Sequence, residues 1–229
     1  MLCSERNKSF KTVSPVATAE KKRSGLSTTA IASAILFFLV AALFVLPGCG
    51  KSNSDTDPVS KAKVGDVVPF GDYQWRVLAK ENGKALVITE DVIENRAYIE
   101  KNAEVTWENC TLRSYLNDEF YNGFNDNQKK AIADTKNANP ANSEFGTSGG
   151  SETTDKVFCL SIDEANKYFS SDDNRIAKYN GDACRWWLRS PGYDAGYAGY
   201  VDVDGNVDGW GFFVDNEYTG VRPALWVNI

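Results

Sequence analysis

Tyr193, Asp194, Tyr197 and Trp210, set among glycines and turn residues, are the side chains whose chemistry best suits a ligand. A flat ring stacks on the apolar face of a sugar or a peptide side chain, and a neighbouring carboxylate accepts from hydroxyl or amide donors. The competing reading is core or loop packing. Ten aromatic residues fall between Trp186 and Trp226, and each buried ring contributes ~2 to 3 kcal/mol.

Other groups invite chemistry and lose it on inspection. Asp202, Asp204, Asn206 and Asp208 alternate, as oxygen ligands of calcium can. The sixth position of an EF-hand loop would be Val207 rather than glycine, and the twelfth Phe213 rather than glutamate. A hairpin with solvated aspartates explains the pattern more simply, so no metal site is expected. The cysteines are Cys3, Cys49, Cys110, Cys159 and Cys184, without zinc-ligand spacing. Cys159, between Phe158 and Leu160, reads as a small buried hydrophobe, while Cys110 and Cys184 stay open as a pair. Histidine is absent. That removes imidazole ligands and every Ser-His or Cys-His nucleophile pair. No catalytic residue and no cofactor are expected.

Two blocks late in the chain share one grammar: Trp186-Trp187-Leu188-Arg189-Ser190-Pro191-Gly192 and Gly220-Val221-Arg222-Pro223-Ala224. Each runs from strand-like residues to an arginine and then to a proline, which cannot donate to a ladder and so belongs at a strand end, edge or bulge. Arg189 and Arg222 there, with Arg113 in an earlier block, read as structural clamps on loop carbonyls or a carboxylate, with anion binding as the alternative.

These two blocks, with Trp107-Glu108-Asn109-Cys110-Thr111-Leu112-Arg113-Ser114-Tyr115-Leu116-Asn117, together resemble a bacterial domain of unknown function found in surface and secreted proteins of gut-type bacteria. The ending is also similar to that of the C-type-lectin-like and formylglycine-generating-enzyme folds. The resemblance spans roughly residues 65 to 229. It implies an α+β domain with a C-type-lectin-like antiparallel sheet, two to three short helices and long irregular loops. A formylglycine-generating oxidase would need a copper-binding cysteine pair in its C-terminal half, where this chain has Cys159, already read as a buried hydrophobe, and Cys184.

The 229 residues carry a net charge of −6, unevenly spread. Residues 1–48 hold six Lys/Arg against Glu5 and Glu20, leaving a body of net −10 that repels phosphate backbones, so nucleic acid is not an expected partner. Residues 1–28 read as a basic cytoplasmic leader, and 29–48 as a signal-peptide apolar region or membrane anchor. The apolar run Ala30 to Leu46 covers roughly 25 Å as a helix, short of a ~30 Å span. Leu46-Pro47-Gly48-Cys49 resembles a lipobox, in which Cys49 is diacylated, although Pro47 departs from the usual residue. The expected localisation is the extracytoplasmic face of the cell membrane, held by lipid or by an N-terminal helix.

The elements that position the candidate site follow in order. Residues 49–63 read as a flexible tether, with folding starting near Val64 over a single domain 64–229. Val67 to Phe70, Tyr73 to Ala79 and Ala85 to Thr89 read as strands, with Asn82-Gly83 as a hairpin turn and Trp75, Val77 and Ala79 on one face. Thr106 caps a helix whose stripe is Leu112, Leu116 and Phe120, and a solvated helix runs Asn127 to Thr135. Lys136 to Thr154 reads as a mobile loop or lid anchored by Phe145. Val157 to Leu160 reads as a buried strand, Ser161 and Glu164 as a capping box, and Asp204-Gly205 as a hairpin turn. The expected function is a non-catalytic module for an extracellular glycan or protein. An oxidase relative and a structural envelope component are the alternatives.

Overall fold

The computed structural model describes residues 57–101 and 103–229. The leader, the apolar segment and Cys49 lie outside the described residues. Among the described residues no helix is long and apolar enough to cross a membrane.

Helix α1 (Asp57–Lys61) opens the described chain. Strands β1 (Val67–Phe70), β2 (Tyr73–Glu81) and β3 (Lys84–Thr89) follow as an antiparallel meander, completed on its far side by the last strand, β13 (Ala224–Asn228). The β2–β3 turn is made by Asn82 and Gly83, both with positive φ, as a tight primed turn requires. Trp75 and Val77 are fully buried, but a register shift between Val77 and Ala79 also buries Leu78. The expected two-residue alternation therefore stops at a bulge.

A second sheet takes the order β11-β10-β9-β12-β4, from β11 (Val207–Phe213), β10 (Tyr197–Val201), β9 (Trp186–Pro191), β12 (Gly220–Val221) and β4 (Glu94–Asn95). Its pairings are antiparallel except β12 on β9. Arg222-Pro223 is the step by which the chain leaves one sheet and enters the other. The Pro223 carbonyl accepts from Thr89 N–H at 2.9 Å, while the missing proline amide leaves no donor unpaired. The class is α+β, mostly antiparallel, with a few short helices.

Several expectations are corrected. The tether does not extend to residue 63: Val59 in α1 is fully buried, and Lys80 Nζ donates to the carbonyls of Ser60 and Ala62, both at 2.7 Å. Val59 and Ala62, three apart, form a small apolar face in a stretch whose composition is otherwise polar. Thr106 makes no capping bond. The buried Trp107 ring holds a 3-10 turn at Trp107–Asn109, and the helix proper starts after Cys110, whose Sγ accepts from Arg113 N–H at 3.3 Å. Helix α2 (Thr111–Tyr115) then widens into a π-helical turn over Leu116–Phe120, with Leu112, Leu116 and Phe120 facing the core. Helix α3 (Asp126–Ala131) carries its own capping box, Asn125 with Gln128, and stops before Thr135 because Ile132 is drawn into a bridge with Val227.

Val157 to Leu160 is buried and extended but is not a ladder strand. Phe158 bridges Ala224 of the first sheet, and the Leu160 carbonyl accepts from Arg189 N–H in the second at 2.9 Å. It joins the two sheets. The capping box of Ser161 and Glu164 starts helix α4 (Ile162–Tyr168), followed by helix α5 (Asp172–Arg175). A further hairpin, β7 (Ala177–Tyr179) with β8 (Asp182–Cys184), turns on Asn180-Gly181. That dipeptide carries the same signal as Asn82-Gly83 and is legible in the sequence.

Candidate functional site

The first motif block proves to be a buried polar anchor. Strands β5 (Thr135–Asn137) and β6 (Thr153–Asp155) pair antiparallel and bring Asp155 beneath the 3-10 turn and α2. The Asp155 side chain is fully buried. Its Oδ2 accepts from Trp107 Nε1 at 3.0 Å, Asn137 Nδ2 at 2.8 Å and Thr153 Oγ1 at 2.8 Å, and its Oδ1 from Arg113 Nε at 2.6 Å. Asn117, one helical turn beyond Arg113, closes the same seam. Its Nδ2 donates to the Val157 carbonyl at 2.9 Å, and its Oδ1 accepts from Lys156 N–H at 2.7 Å. Trp107, Arg113 and Asn117 thus hold one short segment of backbone.

The other two arginines have comparable settings. Arg189 lies inside β9 and forms a two-pronged ion pair with Glu164, the capping-box residue of α4, while donating to the Cys159 carbonyl at 3.0 Å. Arg222 is 1% exposed and donates to three carbonyls: Thr89 at 2.9 Å, Glu90 at 2.9 Å and Arg175 at 3.0 Å. Its guanidinium lies 5.0 Å from the ring centre of Trp186 and 5.4 Å from that of Phe169. Burial lowers its pKa to about 10, so it remains a cation at neutral pH.

On the outer side of the second sheet the candidate ligand residues meet. Trp210 and Tyr193 have ring centres 5.2 Å apart, Tyr193 and Tyr197 4.4 Å, and Tyr197 and Phe213 4.5 Å. Phe145 joins the far end at 5.1 Å from Trp210. The row is open to solvent: Trp210 is 59% exposed, Phe213 47% and Tyr193 37%. Asp194, also exposed, accepts from Gly196 N–H through Oδ1 at 2.8 Å. Tyr193, Asp194, Tyr197 and Phe213, with Glu104 opposite, line a cleft of about 470 Å³. Hydrogen bonding to Tyr197 and then to Asp194 pushes the Tyr193 phenol up to about 12, so it keeps its proton at neutral pH.

Backbone geometry explains why these rings can gather. The β10–β11 register shifts between Ala198 and Tyr200, and opposite it Gly211 has φ +86°. A Cβ on Gly211 would stand 2.7 Å from the Ala198 carbonyl oxygen, and one on Gly192 would stand 2.5 Å from Tyr197 Cβ. Two glycines therefore let Tyr193 and Trp210 approach across the bulge.

Two features near the row depart from expectation. Lys136 to Thr154 is pinned rather than free: Asn142 is buried, and its Nδ2 donates to the carbonyls of Pro191 and Gly209, both at 2.9 Å, while Thr147 Oγ1 donates to the Tyr193 carbonyl at 2.7 Å. Sequence reasoning missed Asn142, and no local signal could have found it, because its partners lie 49 and 67 residues away. Phe145 belongs to the exposed row as well as to its own loop. The aspartates of the next turn serve the hairpin. Asp202 accepts from Asp204 N–H, Asn206 N–H and Asn206 Nδ2, and Asp208 from Tyr200 Oη, Trp210 N–H and Gly211 N–H. Among the described residues no three Cys, Asp or Glu side chains are grouped as a metal site requires.

Cys110, Cys159 and Cys184 are buried, and no disulfide joins Cys110 to Cys184. Burial pushes the Cys110 thiol up to about 12 and raises Cys159 further. Both should resist a thiol reagent at pH 8 in the native protein and label fully in guanidinium, as peptide mass mapping would show. Native labelling of either at the rate of a free thiol would contradict this burial.

Comparison with known families gives one match: the family described as Domain of unknown function (DUF6273) covers residues 82–229. It begins at the first turn residue of the β2–β3 hairpin, later than the residue 65 expected. No curated protein and no solved structure matches the chain.

Proposed function

The chain belongs to the DUF6273 family, and we propose that it is an extracytoplasmic lipoprotein, tethered through Cys49, whose body is a non-catalytic binding module for an extracellular glycan. The observation that carries this reading is the open row of Trp210, Tyr193, Tyr197 and Phe213 with Asp194 and Glu104 at its cleft. Contiguous exposed rings on a soluble surface cost solvation and mark interaction sites. Flat rings beside carboxylates suit pyranose faces flanked by hydroxyls. The glycine bulge and the Asn142 pin hold the row before any ligand arrives, which lowers the ordering cost of binding.

The lectin-like kinship belongs to the same proposal. It is supported by the pairing of the last strand, β13, with the early strand β3. The oxidase alternative sits poorly with Cys159 and Cys184, which are both fully buried rather than offered to a metal.

The test is glycan-array screening of the detergent-solubilised full chain, followed by calorimetry on the best ligand. Trp210→Ala should weaken that ligand by roughly 30-fold, the ~2 kcal/mol of a central aromatic contact, with circular dichroism and melting temperature unchanged. An array blank for the native chain, or equal affinity in the variant, would favour the structural envelope reading.

A further inference from the structure

A second cleft shares no residue with the aromatic row. It lies between the β1–β2 turn and the α2 helix, has a volume of about 220 Å³, and is walled by Tyr73, Tyr115, Phe120 and Phe124 with Asp72 and Glu119 at its edge. Ring centres of Tyr73 and Phe120 are 5.4 Å apart, of Phe120 and Phe124 5.6 Å, and of Tyr115 and Phe120 6.4 Å. The π-helical turn makes this grouping possible. Tyr121 N–H reaches back to the Leu116 carbonyl, five residues earlier, so residues i and i+5 become neighbours and Tyr115 comes alongside Phe120. Such turns are uncommon and recur at functional sites.

The charges around the cleft favour one class of occupant. Asp72 and Glu119 are exposed, and neither forms an ion pair among the described residues. Arg96, whose field reaches Glu119, is bound to Glu94 at 2.7 Å and lies 3.8 Å from the Tyr115 ring centre. Lys129 of α3 is turned to the Asn122 carbonyl at 3.2 Å and the Tyr121 ring. Two carboxylates thus remain beside a set of π faces, one of which already holds a cation. Tyr73 registers the same environment, since burial, Asp72 and Glu94 all raise its phenol pKa.

We propose that this cleft binds a small organic ammonium ion, with its cationic head against the Tyr73 ring and the Asp72 and Glu119 carboxylates and its carbon stem against the ring edges that the otherwise buried Phe120 and Phe124 present to the cleft. The ring quadrupoles and carboxylates attract the charge, while the phenyl rings take the apolar part.

The experiment uses the detergent-solubilised full chain with two probes of equal shape, choline and its neutral isostere 3,3-dimethylbutan-1-ol, read by saturation-transfer nuclear magnetic resonance and calorimetry. Choline should bind at least about tenfold tighter than the neutral isostere. The exposed double variant Asp72→Asn with Glu119→Gln should lose that preference, and Tyr73→Leu should weaken choline by roughly tenfold with unchanged circular dichroism. No choline binding, equal affinity for the two probes, or an unaltered preference in the double variant would overturn the proposal. The glycan test is independent of this outcome, because the two sites share no residue.

Discussion

Asp155→Ala is expected to lower the unfolding free energy by ~3 to 5 kcal/mol, measured by urea denaturation at neutral pH. The carboxylate accepts four hydrogen bonds at a fully buried position. Its removal leaves Trp107 Nε1, Asn137 Nδ2 and Thr153 Oγ1 without that acceptor, and each buried orphan costs ~1 to 3 kcal/mol. Arg113 is a smaller part of the loss, because its side chain is 26% exposed and water can solvate it. Asp155→Asn should recover little, since an amide presents only one oxygen to four donors and turns its own N–H groups toward them. A loss below about 1 kcal/mol for the alanine variant would show that the anchor is not needed for stability.

Arg222→Ala is expected to cost a similar ~3 to 5 kcal/mol, from a cavity beside Trp186 and from three carbonyls that lose their donors. Arg222→Lys should recover less than half. A lysine ammonium is a point donor, whereas the planar guanidinium reaches Thr89, Glu90 and Arg175 at once. The sign of any pH effect follows from the lowered pKa, about 10 and below that of an ordinary guanidinium. Between the folded and the unfolded value the unfolded chain holds the extra proton, so the penalty for burying this charge is present in full below about pH 10 and is relieved above it. Across neutral pH both states are charged, and Arg222 should add no pH dependence. Equal stability of Arg222→Lys and the native chain would show that one carbonyl contact is enough.

Both predictions concern the motif blocks, the first through Asp155, the buried partner of Trp107 and Arg113, and the second through Arg222 itself, and both bear on architecture rather than on ligand. Trp107, Arg113 and Asn117 hold the β6 segment, Arg189 joins α4 to β9, and Arg222 fastens the step between the two sheets. The residues proposed to meet a ligand lie between these blocks, on and beside a bulged hairpin with less constraint from packing. That division is physically reasonable: a rigid, hydrogen-bonded frame can carry a surface that varies without unfolding the chain.

Features governed by neighbours along the chain were legible from residue types alone. Asn82-Gly83 makes its turn because both positions need positive φ, and Ser161 with Glu164 caps a helix because the partners are three residues apart. The stripe Leu112, Leu116 and Phe120 faces inward for the same reason, and the absence of histidine removes imidazole chemistry without reference to any fold. Tertiary structure alone separated the tryptophans: Trp75, Trp107, Trp186 and Trp187 are fully buried, whereas Trp210 is mostly exposed. Strand alternation could not decide this, because β9 is covered on both faces over Trp186 to Arg189 while β11 is not. Asp155 and Asn142 look like ordinary loop residues, and their roles come from partners up to 48 and 67 residues away. Local geometry is encoded within a few residues, but burial is a property of whatever the rest of the chain lays on top.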